Sequence, residues 1–125
     1  MKRIIHTDRA PLAVGPYSQA VEAGGTLYIS GQLPIDPATG LTPATIEEQT
    51  EQALKNVGAI LEAAGYSYAD VVKSTVLLSD MADFAAMNSV YARFYTEKMP
   101  ARAAYQVAQL PFGVKVEIET IAVKG

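Results

Sequence analysis

Residues 45–65, TIEEQTEQALKNVGAILEAAG, and residues 71–78, VVKSTVLL, decide the fold class of this chain. Glu48 stands three residues after Thr45, which is the spacing of a helix capping box. Apolar and small side chains then recur every three or four positions, and Gly65 is typical of a helix end. The β-branched run that follows indicates a buried strand. The two segments together predict a helix of about four turns followed by a strand.

The flanking segments predict five more strands and a second helix. Gly24 and Gly25 separate two short β-type runs, and such a pair is typical of a β-hairpin turn. Asp80 is suited to cap a second helix of about four turns, which Pro100 cannot continue. The core-facing residues of that helix are Phe84, Met87, Tyr91 and Phe94. The other predicted strands are residues 3–6, 19–23, 26–30, 103–108 and 114–123. This order predicts an α+β fold, a six-stranded mixed sheet with both helices on one face.

The composition limits the classes of function. A chain of 125 residues is predicted to form one domain, residues 1–125. Its net charge is −3 and its ten Lys and Arg are scattered, which argues against nucleic acid or a membrane surface as partner. It has no cysteine and one histidine, so we expect no disulfide and no metal site. No signal peptide or membrane-spanning run is evident, so we expect a cytoplasmic protein.

The last predicted strand alternates in an unusual way. One face of it is apolar or small and suits packing against the helices. The other face mixes charged and apolar residues: Lys115, Glu117, Glu119, Ile121 and Val123. Such a face fits neither open solvent nor a closed core. We interpret it as an indication that the protein associates with copies of itself.

Arg102 and Glu119 are the strongest candidates for chemistry. Arg102 follows the turn at Pro100 and opens a strand of small residues, where its guanidinium fork could bind a carboxylate. Glu119 lies between core positions of the last strand, and partial desolvation would raise its pKa toward that of a general base. The structural alternatives are a surface or interface ion pair for the arginine and an edge charge for the glutamate.

Four further residues are weaker candidates. Tyr17 lies in the rigid loop Gly15-Pro16-Tyr17-Ser18, where its phenol could bond a substrate or simply pack. Ser30 and Gly31 end a strand, and the glycine could let a ligand approach the backbone or merely form a turn. Asn88, on the second helix, could equally line a pocket or cap a loop.

These residues resemble the Rid (YjgF-type) family, and most closely its RidA subgroup of reactive-intermediate deaminases. The segments that carry the resemblance are Gly15-Pro16-Tyr17-Ser18-Gln19-Ala20, Ser30-Gly31-Gln32, Gln49 with Asn56, Asn88 with Tyr91, and Pro100-Ala101-Arg102 through Glu117-Ile118-Glu119. The resemblance covers essentially the whole chain. It implies a chorismate-mutase-like homotrimer with sites between subunits. It also implies hydrolysis of 2-imino acids, such as 2-iminobutanoate and 2-iminopropanoate, to 2-oxo acids and ammonia, without a metal or cofactor.

The resemblance also assigns roles by position. Arg102 would clamp the substrate carboxylate, with help from the backbone amide of Ala104. Glu119 would orient or activate the attacking water. Tyr17 and the backbone around Gly31 would border the imine end, as part of the substrate-binding set that includes Ser30 and Asn88.

Two positions depart from the family pattern. Ala104 stands where relatives often have cysteine, and Tyr105 stands where they often have a smaller aliphatic residue. A backbone contact at position 104 would tolerate alanine, whereas Tyr105 bears on the substrate preference. Three other functions are open: a regulatory module that binds a small ligand or partner without turnover, an endoribonuclease and a chaperone.

Overall fold

The computed structural model describes residues 1–124, and Gly125, the last residue of the predicted domain, lies outside them. Its strands are β1 (Arg3–Ile5), β2 (Ala20–Ala23), β3 (Thr26–Gln32), β4 (Val71–Leu78), β5 (Ala101–Gln106) and β6 (Val116–Val123), and its helices are α1 (Ile46–Ala64) and α2 (Phe84–Tyr91). The strands form one sheet in the order β1-β2-β3-β6-β4-β5. Neighbours are antiparallel except β4 and β5, which are parallel. The predicted α+β class and mixed six-stranded sheet are confirmed.

Helix α1 begins and ends as its sequence predicts. The Thr45 hydroxyl accepts a hydrogen bond from the Glu48 amide at 3.1 Å, and the Glu48 carboxylate bonds back to complete the capping box. Gly65 adopts φ 84°, a left-handed conformation that glycine reaches without steric cost. The apolar stripe of α1, including Leu54 and Ile60, is fully buried. This helix supplies much of the core on one side of the sheet.

The core lies between the two helices and one face of the sheet. Val76 and Ile118, on neighbouring strands, are fully buried there together with Met87 of α2. The opposite face of β6 alternates between half-buried and exposed residues, with Glu119 and Val123 exposed. The prediction that the two faces of the last strand differ is therefore confirmed, and both helices cover the apolar face.

The second helix is shorter than predicted. Helix α2 has eight residues, about two turns rather than four. Asp80 caps a separate 3₁₀ turn, Met81–Asp83, by accepting a hydrogen bond from the Ala82 amide at 2.8 Å. Phe94 lies beyond the end of the helix, in a turn closed by its own amide and the Tyr91 carbonyl. The aromatic spacing continues through these turns, which is why the sequence pattern overstated the length of the helix.

Several strand ends also differ from the prediction. Strand β5 begins two residues earlier than predicted, so Arg102 lies within it. Strand β3 extends to Gln32 because a bulge after Ile29 brings Gln32 opposite Ile118. Strand β6 begins two residues later than predicted because the Val114 amide bonds the Pro111 carbonyl in a turn. Strands β1 and β2 are each one residue shorter than predicted, at His6 and Gln19.

Only one of the two helical connections joins strands that are parallel neighbours. Strands β4 and β5, connected through α2, are parallel neighbours. Strands β3 and β4, connected through α1, are not neighbours because β6 lies between them. Within residues 1–124, neither helix combines the length and the apolar character that crossing a membrane requires.

Candidate active site

Arg102 is held by one face of helix α2. Its Nη1 donates a hydrogen bond to Asn88 Oδ1 at 2.7 Å. Its Cζ lies 4.9 Å from the ring centroid of Tyr91 and 5.5 Å from that of Phe84, both within cation–π range. Helical spacing brings positions 84, 88 and 91 together on one face. We call these four residues the arginine clasp.

The clasp fixes the guanidinium without neutralising it. None of the ion pairs found within residues 1–124 involves Arg102. Asn88, which is predicted to line a pocket or cap a loop, orients the arginine. Tyr91 was expected to be a core residue and is buried, yet one face of its ring also supports Arg102. The structure therefore presents an oriented cation that is available to bind an anion.

A second group of candidate residues surrounds a polar pocket of about 380 Å³. The lining residues are Tyr17, Ser30, Gly31, Leu33, Pro111, Glu117 and Glu119. We call this the acidic pocket. Burial raises the pKa of the Glu117 carboxyl, and the nearby Glu119 charge adds to the increase. Glu119 itself is exposed in the single chain. The desolvated carboxylate that the sequence argument expected at position 119 is thus found at position 117.

The Glu117 carboxylate occupies the space beside Gly31 that a side chain would fill. A Cβ atom at position 31 would overlap Oε2 of Glu117 and would also lie 2.9 Å from its Cδ. The backbone of Gly31 therefore forms an open wall of the acidic pocket, as a close approach by a ligand would need. The role of Gly31 toward a ligand stays a prediction, and the neighbour that the structure shows there is the Glu117 side chain.

Ser30 holds the loop that carries Tyr17. Its hydroxyl donates to the Ser18 carbonyl at 2.7 Å, and its amide donates to the Gln19 carbonyl at 2.9 Å. Tyr17 is 52% exposed, and its phenol oxygen accepts a hydrogen bond from the Val14 amide at 3.4 Å. The phenol borders the acidic pocket, whereas the Ser30 hydroxyl is already used in positioning the loop.

Three buried amide side chains were missed as organisers of the site. The Gln19 side chain accepts a hydrogen bond from the Thr7 amide and donates one to the Thr7 carbonyl. The Asn56 side chain donates to the carbonyls of Leu33 and Ile35 at 3.0 and 2.9 Å. Gln49 accepts from the Lys115 amide at 2.8 Å, which fixes the approach to β6. The available signal was a polar residue within an apolar stripe, as with Gln49 and Asn56 on α1.

The arginine clasp and the acidic pocket lie apart in one chain. Arg102 is aligned with Ser74 of β4, which is aligned with Thr120 of β6, so these three residues share the helix-covered face. Glu119 is adjacent to Thr120 in sequence and therefore points to the opposite face. Gly31 lies on β3, three strand spacings from β5 or about 14 Å. A single chain therefore does not bring Arg102 and Glu119 together.

Ala104 lies on the same face of the sheet as Arg102. It belongs to β5 and packs half-buried against the core. Strand β5 is the edge of the sheet, so the outward backbone groups of that strand have no strand partner in the described chain. Among residues 1–124, no three His, Asp or Glu side chains are grouped closely enough to hold a metal ion.

The amino-acid sequence of the chain is similar to those of known proteins. A family model described as Endoribonuclease L-PSP matches residues 7–124. The 2-iminobutanoate/2-iminopropanoate deaminase of Capra hircus is 57% identical over 126 residues, covering 100% of this chain and 92% of that protein.

Solved structures extend the match to the fold. RidA from the Antarctic bacterium Psychrobacter sp. PAMC 21119 is 52% identical with a TM-score of 0.95, covering 98% of this chain and 99% of that one. TdcF of E. coli, crystallised with bound serine, is 48% identical with a TM-score of 0.96 and the same coverage. The resemblance seen in the motifs is confirmed from end to end, and the chain belongs to the Rid (YjgF-type) family.

Proposed function

We propose that this protein hydrolyses reactive 2-imino acids, such as 2-iminobutanoate and 2-iminopropanoate, to 2-oxo acids and ammonia. The observation that carries the proposal is the arginine clasp, an oriented cation without a carboxylate partner in the described chain. Such a group suits a small substrate carboxylate, which it can bind through two parallel hydrogen bonds. The Capra hircus relative, which is named for this activity, supports the same substrate class.

In this reaction the arginine clasp binds the substrate, and the acidic pocket carries out the hydrolysis. Arg102 binds the substrate carboxylate, assisted by the Ala104 amide, and Asn88 keeps the guanidinium oriented. Glu119 takes a proton from water, whose oxygen adds to the carbon of the C=N bond while the nitrogen takes a proton from solvent. The Glu119 carboxyl then gives its proton to the amine nitrogen. The C–N bond breaks, ammonia leaves with the electron pair, and the hydroxyl releases its proton to solvent and becomes the 2-oxo group.

The remaining pocket residues shape the imine end. The Tyr17 phenol and the open backbone at Gly31 border the reacting carbon, and Ser30 holds the Tyr17 loop in place. Glu117, with its raised pKa, adds a second proton-carrying group beside Glu119. Imines hydrolyse spontaneously, so orientation and one general base, which is typically worth about 10²–10⁴-fold, are sufficient.

The complete site is formed between two subunits of a homotrimer. Because Arg102 and Glu119 point to opposite faces of one sheet, each must meet its counterpart from a neighbouring chain. The uncovered sheet face supports this association, since Tyr28, Tyr105 and Val123 are 51%, 49% and 43% exposed there. Large apolar side chains exposed on an uncovered sheet face are typical of a protein interface. The cytoplasmic location stays a prediction from the sequence.

Other functions fit the site less well. A ligand-binding module without turnover would have no use for a carboxylate of raised pKa beside a polar pocket. RNA cleavage suits neither the net charge of −3 nor a pocket lined by two glutamates. A chaperone would present a broad apolar surface, and the exposed face of this sheet is interrupted by Glu119 and Lys73.

A coupled assay tests the proposal. Threonine dehydratase generates 2-iminobutanoate in situ, and the release of 2-oxobutanoate is followed with wild type, Arg102→Ala and Arg93→Ala. Arg93 is an exposed arginine that controls for the loss of a positive charge. We expect acceleration by wild type and Arg93→Ala and at least a hundredfold loss of kcat/KM in Arg102→Ala. No acceleration of any imino acid by wild type would overturn the enzyme proposal in favour of the binding module.

A further inference from the structure

An apolar cavity of about 330 Å³ adjoins the acidic pocket. The two spaces share Tyr17, Gly31, Leu33 and Pro111 as lining residues. The volume falls in the range of small-molecule sites. A molecule whose reacting carbon lies beside the glutamates can therefore extend directly into the cavity.

The far walls of the cavity are apolar. They are formed by Leu12 and Val14 of the Tyr17 loop, by Ile35 and by Phe112. Among the described residues, no charged side chain lines this space. The amide nitrogens of its two glutamines each have a partner, since Gln19 Nε2 donates to the Pro11 carbonyl at 2.8 Å and Gln32 Nε2 to the Ser30 carbonyl at 3.0 Å. The cavity therefore offers hydrocarbon surface to a ligand.

Internal hydrogen bonds hold this cavity in shape. Asn56, which is 1% exposed, ties the carbonyls of Leu33 and Ile35 to helix α1. Gln19, 3% exposed, joins the loop at Pro11 to the start of the chain. A pocket whose backbone is tied at both rims is largely preformed, which limits the entropy lost when a ligand binds.

Phe112 stands in an unusual conformation at the mouth of the cavity. Its backbone has φ 58° and ψ 17°, a left-handed region that bulky residues rarely adopt. Its side chain is 80% exposed, so no core packing explains the ring. Phe112 nevertheless lines the cavity. A strained, exposed aromatic residue at this place is consistent with contact to a ligand.

We propose that this cavity binds the apolar side chain of the imino acid, and that Phe112 makes large apolar 2-imino acids, such as those derived from leucine and phenylalanine, preferred substrates. The inference rests on the proposed deaminase function. The imine carbon lies at the glutamates, and the substituent on that carbon extends past Gly31 into the cavity. Each methylene that enters such a pocket adds to the discrimination between substrates.

The test compares substrate ratios in wild type, Phe112→Asn and Leu41→Asn. An L-amino acid oxidase with catalase generates the imines of alanine, leucine and phenylalanine in situ, and semicarbazide traps the imine that remains. Asparagine tolerates the left-handed backbone, so Phe112→Asn removes the ring without adding strain. Leu41 is also exposed, at 69%, and lies outside the cavity, so it controls for the loss of a surface apolar residue.

We expect wild type to prefer the leucine-derived over the alanine-derived imine in kcat/KM. Phe112→Asn should lower that ratio about tenfold, while Leu41→Asn leaves it unchanged. An unchanged ratio in Phe112→Asn overturns the inference, and so does a change in the molecular mass of that variant in solution, which would assign the ring to a subunit interface. If wild type hydrolyses the alanine-derived imine but not the larger ones, the inference fails and the proposed function stands. Hydrolysis of no imine at all overturns both.

Discussion

In the acidic pocket the Glu117 carboxylate lies against the backbone of Gly31. The carboxylate occupies the space that a side chain at position 31 would need, and burial raises its pKa. The charge on Glu117 is thus tolerated at some cost in stability, which is a pattern common to functional sites. Both consequences can be measured with single substitutions.

Replacing Glu117 with glutamine is expected to stabilise the protein at neutral pH. The folded pKa of Glu117 lies above its unfolded value of about 4.3, so its ionised form opposes folding at higher pH. As the pH falls through the folded pKa, the carboxyl is protonated and this cost disappears. Urea unfolding should therefore favour Glu117→Gln at pH 7 and show equal stabilities well below pH 4.

Glu97→Gln serves as the comparison for that experiment, because Glu97 is exposed and lies outside the pocket. This variant should match wild type at both pH values. A Glu117→Gln protein that is less stable than wild type at pH 7 would show that the charge contributes favourably, contrary to the desolvation argument.

Adding a methyl group at position 31 is expected to impair activity more than folding. The new Cβ of Gly31→Ala displaces the Glu117 carboxylate into the pocket. We expect kcat/KM for 2-iminobutanoate to fall roughly tenfold to a hundredfold, since a shift of about 1 Å at a site has effects of that size. Gly40→Ala is the comparison, because a Cβ there meets no atom within 4 Å. Its left-handed backbone, at φ 75°, costs about 1 kcal/mol of stability without touching the site. Equal activity losses in both variants would contradict this account.

At the level of elements, helix α2 matters chiefly as the support of Arg102. Its two turns are too short to contribute as much core as α1, yet they bring an amide and two rings against one guanidinium. The ring of Phe84 is the contact that can be changed with least disturbance, because it is only half-buried.

Phe84→Leu is expected to raise KM for 2-iminobutanoate about two- to fivefold while kcat changes little. Removing the ring removes one cation–π contact, worth about 0.5–1 kcal/mol at a partly exposed site. Phe94→Leu is the matched variant, because Phe94 packs on Tyr68, at 5.6 Å between ring centroids, and not on Arg102. Its KM should equal that of wild type. Identical KM values for both variants would show that the Phe84 ring does not support Arg102 in substrate binding.

The sequence predicted those elements whose signals are local. Helix α1 was correct at both ends because its cap, its stripe and its terminal glycine all lie within the segment. Helix α2 was overestimated because the turn that follows it, at Phe94, continues the same aromatic spacing. The bulge in β3 and the position of β6 between β3 and β4 depend on pairing between distant segments, which no local pattern encodes.

The sequence likewise indicated the candidate residues individually, but it did not indicate which of them lie together in the fold. Arg102 and Asn88 were both identified, and their hydrogen bond became evident only once α2 and β5 were placed. The two faces of the sheet separate Arg102 from Glu119, which follows from strand register and not from spacing along the chain. Phe112 lies in the connection between β5 and β6, and its left-handed backbone leaves no signal in the sequence.

For the molecule as a whole, the separation of the two residue groups predicts complementation between inactive chains. Arg102→Ala and Glu119→Gln should each be inactive alone. When the two are co-expressed in equal amounts, some interfaces pair an intact arginine with an intact glutamate. Random assembly should restore about a quarter of wild-type activity, since each site takes its two residues from different chains around a ring. Co-assembly is verified by isolating mixed oligomers with two affinity tags.

Absence of activity in verified mixed oligomers would place both residues in one subunit's site. The comparison is a mixture of Arg102→Ala with an Arg102→Ala, Glu119→Gln double variant, which contains no intact arginine and should stay inactive. This control separates true complementation from contamination by wild-type protein.

The opposite orientation of Arg102 and Glu119 has a consequence for how activity depends on concentration. A newly made chain carries half of two different sites and turns over nothing until it meets another copy. Specific activity should therefore fall when the protein is diluted below the dissociation constant of its assembly, while an enzyme with a self-contained site would keep the same turnover at every dilution. Catalysis in this protein would then report directly on how much of it is assembled.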